Sequence, residues 1–463
     1  MPSPETYDAI ILGAGQAALP LAHKLAAAGR RTALIERHWV GGTCINTGCT
    51  PTKTMIASAQ VANLARRAGD FGVQVGQVQV DLPVIVNRKR QIVESFRRPN
   101  EQRLEAADGI DLIYGQAYFN GERQLTVETR QGDQRSLQAE TIIINTGGRP
   151  QPPAPPGLER LKALDSSAML ELTELPSHLI VLGGGYVGVE FGQMFRRFGA
   201  EVTIVQRAAQ LLPFEDEDIA ETLQDILAEE GVDLHLGSMA TEAGQSDHGG
   251  IFLMVEAGGR TQRLEGSHLL VATGRQPNTE AIRAEAAGVE LDERGYIQVD
   301  NRLRTTAAGI FAVGDVKGGP AFTHISYDDH RIVADQLLGD GSATTEGRMV
   351  PYTVFTQPQL GRIGLTESQA RQSGQSIGVA ELPMSHVARA IELGDTRGKM
   401  KAVVDRQTQQ ILGAAILGME GGELMGALQV AMMAGLPYPR LQEATFAHPT
   451  LMEAFNNLFS AVN

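Results

Sequence analysis

Two stretches of this 463-residue chain repeat one arrangement of apolar and polar positions. In the first, an apolar run at Asp8–Leu12 leads into Gly13-Ala14-Gly15-Gln16-Ala17-Ala18. A short apolar run bounded by glycines reads as a buried strand followed by a tight turn. A helix is predicted to about Ala28, then a second strand at Arg31–Glu36. In the other stretch, His178–Leu182 leads into Gly183-Gly184-Gly185-Tyr186-Val187-Gly188. Its helix is predicted to about Phe198 and its second strand at Glu201–Gln206. The offset of 170 residues holds at every diagnostic position: Gly13 to Gly183, Gly15 to Gly185, Ala18 to Gly188 and Glu36 to Gln206. Downstream of each unit, an apolar strand ends in a Thr-Gly turn, at Ile142–Gly148 and Leu269–Gly274.

The pattern therefore predicts an α/β chain of two Rossmann-like dinucleotide-binding domains, one inserted into the other. A stiff, extended linker is expected at Arg149–Gly157 (RPQPPAPPG). The pattern changes after about Pro351: strand-like runs Gly398–Val404 and Ile411–Leu417 precede a helix at Glu423–Ala434, rich in Met, Ala and Leu. That helix is either ordinary core or one that packs across a subunit interface. The expected division is 1–149 and 277–345 for the first domain, 150–276 for the second, and 346–463 for a C-terminal α+β domain.

Each glycine-rich turn sits between a strand and a helix, the context that gives the motif meaning. The first glycine permits the turn, the second lets backbone approach a pyrophosphate, and the third small residue lets helix and strand pack closely. The pyrophosphate then meets unpaired N–H groups at a helix N-terminus. The residue ending the second strand separates the two sites. Glu36 can accept from both hydroxyls of an adenosine ribose. Gln206, followed by Arg207, would tolerate or attract a 2′-phosphate that a carboxylate would repel. The first site is thus expected to take FAD or NAD, and the second NADPH in preference to NADH.

Charge and composition narrow the class further. A net charge of −14 argues against non-specific binding to nucleic acid or to an anionic membrane. No apolar run is long enough to span a bilayer. The polar start Met1–Asp8 carries no secretory pattern, so a cytoplasmic location is expected. The only two cysteines, Cys44 and Cys49, lie five apart in one loop. So short a loop gives little entropic stabilisation, and redox chemistry or metal binding is the better reason for it. Zinc would require further Cys or His at short spacing. No second cysteine pair exists, and no metal site is expected. Pro51 marks the first turn of a helix through Met55–Arg66, which places Cys49 near a helix N-terminus, where a thiolate is favoured. Cys44 is expected further out, free to exchange with substrate.

The segment GGTCINTGCTPTK (Gly41–Lys53), both glycine turns, TGRQPN (Thr273–Asn278), GIFAVGDV (Gly309–Val316) and HPTLMEAF (His448–Phe455) resemble those of the pyridine nucleotide–disulfide oxidoreductases. These are the glutathione reductase, dihydrolipoamide dehydrogenase and mercuric reductase group, and the resemblance covers essentially the whole chain. It implies an FAD-dependent enzyme that passes electrons from NAD(P)H to a Cys44–Cys49 redox disulfide. Cys49 is similar to the flavin-proximal thiol and Cys44 to the interchange thiol. Gly42, Thr43, Thr146, Gly147, Gly314 and Asp315 match FAD-binding positions, with Asp315 on the ribityl chain. Lys53 and Glu190 resemble the ion pair beside the flavin ring. Tyr186 resembles the aromatic gate over it, and Gly274 and Arg275 match cofactor positions. His448 with Glu453 resembles the acid–base dyad, which in the family reaches the disulfide of the other subunit and so implies a homodimer. The dyad suits the chemistry, because opening a disulfide expels a thiolate that an imidazole can protonate.

Departures from the family pattern bear on the electron acceptor. The chain has no C-terminal cysteine pair and keeps His448, unlike mercuric reductases; Gln206 speaks against dihydrolipoamide dehydrogenase. Ala388-Arg389-Ala390, Thr396-Arg397-Gly398-Lys399 and the ending HPTLMEAFNNLFS resemble bacterial flavin reductases of reactive-chlorine resistance, a group associated with hypothiocyanous acid and copper. A small oxidant or disulfide is the expected acceptor. Alternatives are Hg(II) or Cu(II) reduction and a slow redox-sensing flavoprotein.

Overall fold

The computed structural model describes residues 3–151, 155–246 and 249–463. The chain forms two compact units. The first comprises Met1–Thr54, Asn87–Gln151 and Gly274–Arg348; the second comprises Met55–Val86, Pro152–Thr273 and Met349–Asn463.

In the first unit, strand Glu5–Leu12 pairs in parallel with Thr32–Glu36 on one side and Gln134–Ile144 on the other, with Ile10 opposite both Ala33 and Ile142. Ile110–Gly121 and Ile310–Ala312 extend this parallel layer. Ile110–Gly121, Gln124–Thr129 and Gln134–Ile144 also form an antiparallel meander. Burial on both faces explains why Ala9–Leu12 and Thr32–Ile35 read as unbroken runs rather than alternating ones. Helix Ala18–Ala27 buries Ala18, Leu21, Ala22 and Leu25, a single stripe at helical spacing. It packs in one cluster with Ile332 and Val333 of helix Thr323–Leu338.

The second unit holds a four-stranded parallel sheet in the order His268–Val271, His178–Leu182, Glu201–Val205, Val232–His235. Helices Tyr186–Phe198 and Glu217–Glu229 accompany it. A three-stranded antiparallel sheet runs over Met239–Gln245, Ile251–Ala257 and Arg260–Gly266. A five-stranded antiparallel sheet has the order Tyr352–Val354, Gln359–Gly364, Ile411–Gly418, Lys399–Asp405, Ile377–Pro383. One apolar cluster joins Phe191 and Phe195 to Leu223, Val354, Leu360 and Leu417.

Several boundaries differ from expectation. The first strand starts at Glu5 rather than Asp8, whereas the cysteine helix, Cys49–Arg66, has Pro51 in its first turn as expected. Arg149 and Pro150, expected in the linker, form with Gly148 a short strand paired antiparallel with Arg275–Pro277, a partner too distant in the chain for local pattern to show. Pro152, Pro153 and Ala154 of the linker lie outside the described residues. Helix Gly421–Met433 buries Leu424, Met425, Leu428 and Ala431, yet leaves Val430 and Met433 about two-thirds exposed. It is apolar on both faces, so only half of it is core. No helix among the described residues is long and apolar enough to cross a membrane.

Candidate functional site

The first glycine turn is built as its spacing demands. Gly13 sits at φ +95°, and a Cβ there would lie 2.4 Å from the Asn145 carbonyl oxygen. The Ala14 N–H donates to Glu36 Oε2 at 2.8 Å, and the His38 N–H donates to Oε1 at 2.6 Å. Glu36 thus closes the turn from below while its carboxylate keeps further lone pairs at the strand end. Asn145 Nδ2 donates to the Gly13 carbonyl at 2.9 Å, a role that sequence reasoning missed although Asn145 adjoins Thr146.

The cysteine segment packs directly on this turn. The Gly41 N–H donates to the Ala14 carbonyl at 2.8 Å, and Gln16 Nε2 donates to the Gly41 carbonyl at 3.0 Å. A Cβ on Gly42 would come within 2.9 Å of Gly15 Cα. Cys44 lies inside the short helix Gly42–Asn46, and Cys49 opens the helix Cys49–Arg66. Both are free thiols; Cys44 is half-buried and Cys49 exposed. The Cys44 thiol is pushed up from its ordinary value by its hydrogen bond with Cys49, by burial and by the charge on Cys49. Cys49 Sγ lies 3.4 Å from Thr323 Oγ1, at the start of helix Thr323–Leu338, so two helix N-termini meet at this sulfur. No motif in the sequence marked Thr323. Thr43 is exposed beside the pair, and Lys53 lies one turn further along the Cys49 helix.

Three further loops of the first unit converge on the strand ends. Thr146 Oγ1 donates to the Asn278 carbonyl and Asn278 Nδ2 returns a bond to the Thr146 carbonyl. Arg275 donates to the Gly148 carbonyl at 2.6 Å. Gly147 and Gly274 take φ +66° and +143°. Gly314 (φ +69°) donates its N–H to Asp329 Oδ2 at 2.8 Å. The fully buried Asp329 also meets Lys317 at 3.3 Å and Arg348 at 2.7 Å. Asp329 thereby fixes the turn that carries Asp315, a second residue missed by motif because it lies inside a helix. Burial raises the Asp315 carboxyl above its ordinary range, and Arg275 and Lys317 partly offset this.

In the second unit, the other turn repeats the construction. Gly183 is at φ +114°, with a would-be Cβ 2.4 Å from the Ala272 carbonyl oxygen. Nothing lies within 4 Å of a Cβ built on Gly185, so this face of the turn is open to a ligand. A Cβ on Gly188 would approach the Gly183 carbonyl oxygen to 1.9 Å. The Gly184 N–H donates to Gln206 Oε1 at 3.2 Å, and Gln206 Nε2 donates to the Gln210 carbonyl at 3.3 Å. Arg207 is exposed beside it. Tyr186, 43% exposed, opens helix Tyr186–Phe198, and Glu190 is buried one turn later. In the same unit, His448 Nδ1 lies 3.0 Å from both oxygens of Glu453. The His448 side chain is 73% exposed, so its other ring nitrogen is available to a reacting partner.

Both cradles fit dinucleotides: each has a glycine that no Cβ could replace, a helix start directly after the turn, and a hydrogen-bonding residue at the next strand end. Known proteins agree with this geometry. Residues 7–329 match the family described as pyridine nucleotide-disulphide oxidoreductase, and residues 350–459 match its dimerisation domain. The chain is 43% identical over 460 residues to the probable pyridine nucleotide-disulfide oxidoreductase RclA of Escherichia coli K12, covering 98% of this chain and 99% of that protein. It is 34% identical over 447 residues to a mercuric reductase of Staphylococcus aureus, covering 96% and 81%. A solved structure of the HOCl-induced flavoprotein disulfide reductase RclA from Escherichia coli aligns with TM-score 0.89 at 42% identity, over 99% of this chain and 100% of that one. A Cu(II) complex of the same protein aligns with TM-score 0.90 at 42% identity, over 98% and 99%.

Proposed function

The chain belongs to the pyridine nucleotide–disulphide oxidoreductase family, and we propose that it uses NADPH to reduce a small sulfur-based oxidant of the hypothiocyanous acid type at Cys44 and Cys49. It is a flavin-dependent oxidoreductase with two Rossmann-like domains and a C-terminal α+β dimerisation domain. The observation that carries the reading is the cysteine pair packed on the first glycine turn through Gly41 and Gly42.

FAD would be held by Gly13, Gly15, Ala18, Glu36, Gly42, Thr43, Thr146, Gly147, Gly314 and Asp315, and when bound it relays two electrons from nicotinamide to the disulfide. NADPH would be held by Gly183, Gly185, Gly188, Gln206, Arg207, Gly274 and Arg275, with Tyr186 as its gate. Lys53 and Glu190 would pair beside the flavin ring. The exposed Cys49, at two helix starts, suits the thiolate nearest the flavin. Cys44 exchanges with the acceptor. Its thiolate attacks the oxidised sulfur, a sulfur–sulfur bond forms, and the leaving hydroxide takes a proton from His448. Cys49 then displaces thiocyanate and restores the disulfide. Glu453 holds the His448 ring and supports its charged form, the orienting role of a carboxylate in a triad. The exposed apolar residues Val430 and Met433 support a homodimer in which His448 serves the partner's cysteines. A reducing cytoplasm suits a chain whose two cysteines form one redox pair.

A second reading, metal-ion reduction, is favoured by the mercuric reductase relatives and by the Cu(II) complex of RclA. The test is a turnover panel with NADPH and, in turn, oxidised glutathione, lipoamide, hypothiocyanous acid, Hg(II) and Cu(II). Turnover with hypothiocyanous acid at least tenfold above the others supports the first reading. Preferential turnover of a metal ion replaces it with the second.

A further inference from the structure

Helix Tyr186–Phe198 carries a polar stripe that the nucleotide-binding role does not explain. Tyr186, Glu190, Gln193 and Arg197 are spaced four, three and four residues apart and so share one face. Glu190, Gln193 and Arg197 are all 5% exposed or less, while Phe191, Phe195 and Phe198 fill the apolar core. Placing three polar side chains inside a protein costs desolvation, which apolar residues of the same volume would avoid.

The stripe is matched, bond for bond, by the loop Phe355–Pro358, which lies between strand Tyr352–Val354 and strand Gln359–Gly364. The Phe355 N–H donates to Glu190 Oε1 at 2.8 Å. The Gln357 N–H donates to Gln193 Oε1 at 2.8 Å, and Gln193 Nε2 donates to the Gln357 carbonyl at 2.8 Å. Arg197 donates to the Gln357 side-chain oxygen at 2.6 Å and to its carbonyl at 3.0 Å. Glu230 neutralises Arg197 at 2.5 Å and Arg397 at 2.6 Å, and Asp395 holds Arg397 at 2.8 Å. A fully satisfied buried network admits one register of loop against helix. A greasy contact would admit several.

We propose that the loop Phe355–Pro358 is the positioning element for Glu190, and that Gln193 and Arg197 are the clamp that keeps its Phe355 N–H on the Glu190 carboxylate. The proposal rests on the role given to Glu190 beside the flavin. It also makes the helix of the nicotinamide site and the start of the C-terminal sheet one mechanical piece.

The test compares Gln193→Leu, which severs both backbone bonds to Gln357, with Gln193→Glu, which keeps only the one accepted from the Gln357 N–H. Amide hydrogen exchange reads the loop directly, and stopped-flow absorbance reads flavin reduction by NADPH. Exchange at Phe355 and Gln357 should rise about tenfold or more in Gln193→Leu and less in Gln193→Glu. Flavin reduction should slow in the same order, by about tenfold in the leucine variant, with reoxidation by the acceptor unchanged. Should the leucine variant not fold, the glutamate variant decides alone, with a smaller change of the same kind. Unchanged exchange, or an equal slowing of both half-reactions that tracks a lower melting temperature, overturns the proposal in favour of a purely structural network. Glu190→Gln is the control. If it leaves flavin reduction at the wild-type rate, the role of Glu190 itself fails. If it slows reduction while the Gln193 variants do not, only the positioning proposal fails.

Discussion

The two glycine turns share a scaffold and differ in what is hung on it. In each, the N–H of the second turn residue (Ala14, Gly184) donates to the side chain at the next strand end (Glu36, Gln206). In each, the carbonyl of that same residue accepts from a loop returning after that strand, through Gly41 at 2.8 Å and Leu212 at 2.9 Å. The first returning loop carries the cysteine pair. The second carries no thiol and holds Phe214 out at 87% exposure. The strand-end residues diverge too. Glu36 takes a backbone N–H on each oxygen, whereas Gln206 spends its amide N–H on the Gln210 carbonyl. One backbone solution thus serves two chemistries, and three or four side chains decide which.

The largest expected effect tests whether the chemistry sits only on the first returning loop. Cys49→Ser should abolish turnover and the long-wavelength thiolate-to-flavin absorbance of the two-electron-reduced enzyme. Cys44→Ser should also abolish turnover yet show that absorbance without reductant, since Cys49 is then permanently free. Identical spectra from the two variants would erase the assigned difference between the sulfurs. The next effect separates the half-reactions. His448→Ala should slow reoxidation by roughly 10²–10⁴-fold, the range for a lost general acid–base group, with flavin reduction by NADPH nearly untouched. Reoxidation at the wild-type rate would remove His448 from the mechanism.

The strand ends give smaller effects. Glu36→Gln removes a charged acceptor from two backbone donors and from the ribose, at a cost of about 1.5–3 kcal/mol. FAD dissociation, followed by flavin fluorescence, should become roughly tenfold to a hundredfold more favourable. An unchanged dissociation constant would mean that the anion at position 36 does not distinguish the first site. The smallest expected effect is the reciprocal change. Gln206→Glu should shift kcat/KM by about tenfold from NADPH toward NADH, because a carboxylate faces the 2′-phosphate at a cost on the order of 1–4 kcal/mol. Arg207→Ala should weaken NADPH and spare NADH. Wild-type enzyme that uses NADH as well as NADPH would sink the reading of this strand end.

The family pattern was legible because glycine is irreplaceable where a Cβ would strike a carbonyl, as at Gly13 and Gly183. Motifs of that kind survive in the linear sequence. Thr323, Asp329 and the Gln193–Gln357 clamp did not announce themselves. Each gains its meaning from a partner far along the chain: Cys49, Gly314 and the loop before Gln359, respectively. The short strand Gly148–Pro150 was hidden among prolines for the same reason, since its pairing with Arg275–Pro277 depends on a distant segment.

By itself, the order of residues determined two strand–turn–helix units at a fixed offset, a cysteine pair at a helix start, and a His-Glu pair five residues apart, because these are local relations of spacing and backbone geometry. Tertiary structure alone decided that Thr323 brings a second helix start to Cys49, and that Phe355 holds Glu190. Burial, hydrogen-bond satisfaction and shared charge are properties of neighbours in space, and no pattern along a chain specifies which neighbours those are.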